Sequence, residues 1–378
     1  MEPLPLNAIT PPPTDPTKIF EYFRGCYATE LLTAAVAHFD LFGQLSRGTF
    51  TESELAEKLG LQRRPAVVLF TALRAMGLLE NRGNHLTATE LANNHLIPGG
   101  RYDVGNYIGL AASSPGVLGM VELLRTNKPL DPQGDGAAFI YRDGIKSAME
   151  AADSARHLTL SLSGRAKNVA PSFAKAVDLP ADANILDLGG GTGIYAYALL
   201  QKHRDARATI LDRPEVLRVA EEMAVQHNIA DRVTFQEGDM FADSIHQSEA
   251  DRQSSDASAA SASPSGNDVN SDGYDVVLLS NILHDWDEPE CRLLVAKASE
   301  VLKMGGQLII HDVFLNDEMD GPLPIALYSA SLFSLTEGRA YSAAEYRGWL
   351  TESGLKPQRI RETLVHCGVL AGVKEYTL

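Results

Sequence analysis

The sequence predicts an α/β protein, with a doubly wound sheet in its C-terminal half preceded by a mostly helical region. Three observations predict it. Asn184–Leu200 reads as a buried strand, a turn built on Gly189, Gly190, Gly191 and Gly193, and an apolar helix, the first unit of a Rossmann-like sheet. Short apolar runs then recur at Ala208–Leu211, Val233–Glu237, Tyr274–Ser280 and Gln307–Phe314, separated by helical patterns, as parallel strands with helical crossovers require. Ahead of residue 176 the apolar spacing is largely helical, interrupted by loops.

Composition is ordinary for a globular chain of two domains: 378 residues, 44% hydrophobic and 22% charged. The net charge of −16 argues against nucleic acid as a partner, because phosphate binding needs a basic surface. Cys26, Cys291 and Cys367 are odd in number and far apart, with neither disulfide nor metal spacing, which points to a reducing cytoplasm. The N-terminus lacks the basic and apolar regions of a signal peptide, and no stretch reaches the roughly 18 apolar residues of a membrane span.

Residues 1–16, rich in proline, read as a disordered tail. From Thr17 to Leu45 one long helical spacing carries Ile19, Phe20, Phe23, Tyr27, Leu31 and Phe39 on more than one face, as a subunit interface or a core helix would. Thr51 and Glu54 form a capping-box signal, Gly60 ends that short helix, and a second helix spans Gln62–Met76. Leu78–Thr87 then reads as a short hairpin. Helix, turn, helix and hairpin make a winged-helix pattern within 17–100. DNA is the usual partner of that pattern, but Arg63, Arg64 and Arg74 are separated by the apolar PAVVLFTAL. Residues 1–100 hold eight Lys and Arg against ten Asp and Glu, so dimerisation is the expected use. Residues 101–175 read as a helical connector that lines a substrate pocket, including a long helix over Ala148–Val169.

In residues 176–378 the glycine turn poses the question of ligand. A dinucleotide fingerprint would place its third glycine where Ile194 stands. The pattern present is Asp187, Gly189, Gly191, Gly193. Asp212 ends the second strand, where a carboxylate accepts ribose hydroxyls, although nicotinamide enzymes use the same device. After the third strand come Gly238, Asp239, Met240 and Phe241. Asp239 is placed to accept an adenine amine, and Met240 or Phe241 to pack on its face. Residues 243–273 hold almost no large apolar side chains and read as a disordered insertion. Ser280 ends the fourth strand, and His284 follows where chemistry occurs in such sheets. Asp312 and His311 lie on opposite faces of the fifth strand, so at most one of them faces a given site. Residues 342–353 read as a helix, and 357–363 with 366–373 as closing strands.

The ordered set ILDLGGGTG, ILDRPEVL, GDMF, LLSNILHDW, MGGQLIIHDVF and GRAYSAAEYRGWL resembles the class I S-adenosylmethionine (SAM)-dependent O-methyltransferases of the plant caffeate and acetylserotonin type, with their bacterial tailoring relatives. The resemblance spans residues 17–378. It implies a seven-stranded methyltransferase sheet, a homodimer formed through the N-terminal winged-helix domain, SAM as cofactor, and a small hydroxylated, aromatic or enolic metabolite as acceptor. It implies that Gly189 and Gly191 approach the methionine part of SAM, that Asp212 binds ribose, and that Asp239 and Met240 flank adenine. His284 becomes the general base and Asp312 the carboxylate that steadies it, with no metal needed because the sulfonium already activates the methyl. Ser280 stands where plant members carry Lys. Ala340 stands where they carry a second glutamate, with Glu337 nearby. The same scaffold also supports N-methylation, SAM-bound decarboxylation or hydroxylation, and, from another class, a SAM-responsive winged-helix regulator.

Overall fold

The structure, a computed structural model, describes residues 6–128, 152–241, 245 and 273–375. Two short strands, β1 (Leu79–Arg82) and β2 (His85–Ala88), form the hairpin of the N-terminal region. The main sheet comprises β3 (Asn184–Leu188), β4 (Arg207–Asp212), β5 (Val233–Glu237), β6 (Tyr274–Ser280), β7 (Leu302–Val313), β8 (Leu355–Pro357), β9 (Arg361–Glu362) and β10 (Cys367–Lys374). Among the described residues the strand order is β5-β4-β3-β6-β7-β10-β8, with the two-residue β9 also paired to β10. Strands β3 to β7 run parallel, and β10 alone reverses against β7. The sheet thus has eight strands where seven were expected, because the strand expected over 357–363 is divided into the short β8 and β9, both paired with β10.

Alternation along the strands builds a core on each face. Ile185, Val276 and Leu278 pack with the helix Ile194–Lys202 on one side. Leu186, Leu188, Val277 and Leu279 pack on the other with Cys291, Leu294 and the aromatic group Tyr341, Tyr346 and Trp349. Strand order reverses at β3, with β4 and β5 laid down on one side of it and β6 and β7 on the other, so a crevice opens outside the carboxyl ends of β3, β4 and β6, where ligands bind in such sheets.

Several expectations change in the N-terminal half. The single helix expected over Thr17–Leu45 is broken into Thr17–Arg24, Ala28–Thr33, a π-helical turn at Ala34–His38, and Leu41–Arg47. The breaks fall where Tyr27 and Asp40 take φ of 73° and 46°. Apolar spacing averaged over the segment hides that change of direction. Ile19, Tyr22 and Phe23 stay exposed, whereas Leu31, Ala34 and Ala35 turn into the N-terminal core. The proline-rich segment is not a loose tail over residues 6–16. The Leu6 N–H donates to Gln226 O at 2.9 Å, the Ala8 N–H donates to Gln201 Oε1 at 2.7 Å, and Ala8 is buried. Residues 1–5, 129–151 and most of the 243–273 insertion lie outside the described residues. Within the insertion, Ile245 is buried against the core that contains Trp286.

The short helix Glu52–Leu59 carries both capping-box bonds between Thr51 and Glu54, and Gly60 closes it at φ 68°. The following helix, Arg63–Ala75, leads into the β1–β2 hairpin. Its arginines do not form a basic face. Arg64 is buried, donates to Asn127 and to the carbonyls of Thr336 and Gly338 at 3.0 and 3.1 Å, and lies over Phe333. Arg74 is buried too, and donates to Met319 O and to Glu52. Only Arg63 is exposed, paired with Glu288.

The two halves also share a helix that the sequence reading did not assign, Leu323–Leu335. Leu327, Ala330 and Phe333 belong to the N-terminal core, and Ile325, Ala326 and Leu332 to the core beneath the sheet. A helix buried on every side has no polar stripe and so no amphipathic period. Arg64 spans the same junction from the other direction. Arg64→Met should destabilise the protein by about 2–4 kcal/mol, since it leaves two buried carbonyls and Asn127 without their donor. Urea denaturation measures this, and a loss below about 0.5 kcal/mol would remove Arg64 from the junction.

Candidate active site

The glycine turn follows β3 and crosses the open ends of β4 and β6. Gly191 takes φ 59°, and a Cβ there would meet nothing within 4 Å, so this backbone faces open space. At Gly193 a Cβ would strike the ring of Tyr197, which makes that glycine a requirement of packing rather than of ligand approach. A cavity of about 210 Å³ lies against the turn. It is lined by Gly189 and Gly191, by Asp212 from the end of β4, by Asp239, Met240 and Phe241 after β5, and by Ser280 at the end of β6. All seven residues expected to hold a cofactor therefore meet in one cavity.

Local bonding prepares several of them. Asp212 accepts the Gly191 N–H on one oxygen at 2.9 Å and the Arg213 N–H on the other at 2.8 Å. Burial raises its pKa, and these two donors and Arg213 oppose that rise. Asp239 accepts the Phe241 N–H at 2.8 Å, which holds the turn after β5. The Phe241 ring meets Trp286 edge-on at 4.7 Å. Beneath the turn, Asp187 is buried with neither carboxylate oxygen hydrogen-bonded. That burial, with the charge of Asp212, pushes its pKa up to about 8. Ser280 Oγ is likewise buried without a partner. A group bringing positive charge and hydrogen-bonding atoms to this end of the sheet would fit these orphaned atoms.

His284 and Asp312 form the second part of the site. Strands β6 and β7 are neighbours, with Ser280 opposite His311. That register brings the loop after β6 alongside Asp312. His284 Nδ1 lies 2.6 Å from Asp312 Oδ1, and both side chains are almost completely buried. Asp312 Oδ1 also accepts the Val313 N–H at 2.8 Å, and Oδ2 accepts the Tyr346 hydroxyl at 3.1 Å. Although burial opposes it, these donors and His284 hold Asp312 below the usual carboxylate pKa. An ionised Asp312 makes Nδ1 the protonated nitrogen and leaves Nε2 as the acceptor. Burial would lower the imidazole pKa, but the carboxylates of Asp312 and Asp285 outweigh it and the net direction is upward. His311 points the other way, against Phe173 and Tyr195, and burial drops its pKa to about 3.

The sequence reading missed Asp285. Its Oδ1 is 3.6 Å from His284 Nε2, and it lines the cavity that holds the glycine turn, whereas His284 stands just behind it. Burial raises its pKa to about 6. The only signal in the sequence was its adjacency to His284. Ala340 brings no second carboxylate to His284; it is buried, its N–H donating to Ser329 Oγ. Gly338 instead packs onto the backbone of His284, Asp285 and Trp286, where a Cβ would come within 2.6 Å of Trp286 N. A nuclear magnetic resonance titration of His284 in the ligand-free protein should give a pKa above the ordinary 6.5. Asp312→Asn should lower it, because removing the anion removes the attraction for the proton. A wild-type value below 6.5 would refute this electrostatic picture.

Residues 144–254 and 269–356 match the sequence model of the O-methyltransferase domain. The 3-hydroxy-5-methyl-1-naphthoate 3-O-methyltransferase of Streptomyces sahachiroi is 33% identical over 97% of this chain and 97% of its own length. An O-methyltransferase family 2 protein from Planctomyces limnophilus, crystallised with apigenin, is 42% identical, with 98% of this chain and 100% of that one covered at a TM-score of 0.82. Human N-acetylserotonin methyltransferase, solved with SAM, shares the fold at 20% identity and a TM-score of 0.56, over 95% of this chain and 97% of that one.

Proposed function

Since the chain belongs to the O-methyltransferase family, we propose that it methylates a hydroxyl oxygen of a small aromatic metabolite, with His284 as general base and no metal. When bound, SAM supplies a methyl group already made electrophilic by its sulfonium. The observation that carries the reading is the buried His284–Asp312 pair at 2.6 Å, one residue from the wall of the cavity formed by the glycine turn.

The roles follow from the chemistry of each group. Asp212 keeps lone pairs free beyond its two backbone bonds and receives the ribose hydroxyls. Asp239 accepts the adenine amine, and Met240 and Phe241 cover the ring faces. Gly189 and Gly191 let the methionine part lie close to the backbone. Ser280 offers its free hydroxyl where a longer amine stands in plant relatives, and Asp187 gains a compensating positive charge when the ligand's ammonium and sulfonium arrive. His284 takes the acceptor proton on Nε2, while its Nδ1–H stays on Asp312 and the imidazolium is held by the two flanking aspartates. Exclusion of water and alignment of the acceptor oxygen supply much of the remaining acceleration.

The naphthoate and apigenin relatives support an aromatic acceptor for this chain. His284→Ala should bind SAM as the wild type does and lose about 10²–10⁴-fold in kcat. Isothermal calorimetry and labelled-methyl transfer measure the two quantities, and wild-type turnover in the variant would exclude His284 as base. The acid limb of kcat/KM should lie above pH 6.5, because the base must be deprotonated and its pKa is raised. Asp312→Asn should shift that limb to lower pH while reducing the plateau.

Dimerisation through the winged-helix region is supported by large exposed apolar side chains on the N-terminal half, with Tyr22, Phe23, Tyr107 and Leu110 each 78–80% exposed. Light scattering at micromolar concentration should give a dimer for the wild type and a monomer for Phe23→Glu combined with Leu110→Glu. A monomeric wild type would contradict this interface.

A further inference from the structure

Two arginines flank Tyr328, and neither has an acid partner among the described residues. Arg24 comes from the first helix of the N-terminal half and is 2% exposed. Its Nη1 donates to Val365 O at 2.7 Å, its guanidinium lies 4.4 Å from the centre of the Tyr328 ring, and its Nη2 is buried with no hydrogen-bond partner. Arg165 comes from the long helix Ala152–Ala176 and lines the cavity of the glycine turn. Its Nη1 is 3.4 Å from the Tyr328 hydroxyl, a long contact, and its Nε is buried and unpartnered. No carboxylate among the described residues forms a salt bridge with either guanidinium. The nearby acids are already engaged, since Asp312 accepts from His284, Val313 and Tyr346, and Asp285 faces His284 Nε2. Tyr328 itself stands beside His284, with ring centres 6.1 Å apart.

Guanidinium groups taken out of water without a counter-charge are costly, and chains retain them where an anion arrives. Arginine is suited to a carboxylate, whose two oxygens match its paired N–H donors. We infer that Arg165, backed by Arg24 through Tyr328, receives a carboxylate of the acceptor, so that the enzyme prefers a hydroxy-substituted aromatic acid to its neutral counterpart. This rests on the proposed hydroxyl methylation and refines its acceptor. The acid group anchors at Arg165 and Tyr328, and the ring carries the hydroxyl across to His284. The methyl transfer itself is unchanged: the acceptor oxygen–carbon bond forms, the carbon–sulfur bond breaks, and the hydroxyl proton passes to His284.

The test uses positional isomers of hydroxynaphthoic acid, each beside its methyl ester, which has the same hydroxyl and no negative charge. Binding is measured by calorimetry to the full-length enzyme saturated with S-adenosylhomocysteine, and methyl transfer is followed separately by mass spectrometry. At least one acid should bind about ten- to a hundredfold more tightly than its ester. Arg165→Gln should erase that preference while leaving ester binding near wild type, and Arg165→Lys should restore part of it. Because Arg165 also lines the cofactor cavity, S-adenosylhomocysteine affinity is measured in the same variant, and a loss there with the acid preference unchanged assigns the guanidinium to the cofactor's carboxylate and overturns the inference. Equal binding of acids and esters in the wild type overturns the inference without any variant. A preference that survives in Arg165→Gln overturns it as well. Methylated esters with no acid preference would sink the anion site and leave hydroxyl methylation standing. Tight acid binding without methyl transfer would do the reverse.

Discussion

The hydrogen bond from His284 to Asp312 is the constraint around which the rest of the structure is arranged. It joins the ends of two strands in a buried region, and a carboxylate there needs further hydrogen-bond donors on its oxygens. The fold meets that condition with the Val313 N–H and the Tyr346 hydroxyl on the carboxylate. Tyr346 in turn stands in an edge-packed aromatic group with Tyr341 and Trp349, with ring centres 5.8 and 5.3 Å from its own. The Tyr341 hydroxyl donates to Trp286 O, which pins the loop that carries His284. The absence of a side chain at Gly338 lets a neighbouring segment close over that loop. A residue's orientation is thus fixed by packing several shells deep, and a glycine matters as much as a carboxylate.

The crevice carries side chains of both charges. Asp212 and Asp239 line the cavity at the glycine turn, with Asp187 buried beneath it. Arg165 and Arg24 gather around Tyr328 beside His284, with Arg165 in the wall of the same cavity. Asp285 and Asp312 bracket the imidazole. In the proposed reaction a cationic donor and an electron-rich acceptor would each find charge of the opposite sign within this one crevice.

Much of the sheet was legible in the sequence because parallel strands bury both faces and appear as continuous apolar runs, as in Val276–Leu279. The cavity wall was legible for a related reason: Asp212 and Ser280 end their strands and Asp239 follows the end of β5 by two residues, so position along the chain gives position in space. What escaped reading depended on contacts between distant segments. Asp285 was hidden beside a more conspicuous histidine, and its side chain reaches the cavity only because a short 3₁₀ turn follows β6. Arg24 and Arg165 are separated by well over a hundred residues, and only the packed structure shows that neither has a counter-ion among the described residues. The breaks at Tyr27 and Asp40 left no proline, and their φ values follow from the core they wrap rather than from local preference.

The helix Leu323–Leu335 has a further consequence. It is encoded in the catalytic half, yet one side completes the hydrophobic interior of the N-terminal half. The N-terminal segment is therefore not a detachable module. A truncated catalytic fragment would present Leu327, Ala330 and Phe333 to water, and a grafted N-terminal region from a relative would have to reproduce the imprint of a helix it does not itself contain. For recombination between relatives, the natural crossover is not the boundary between the two halves but one that carries this helix together with the surface it fills.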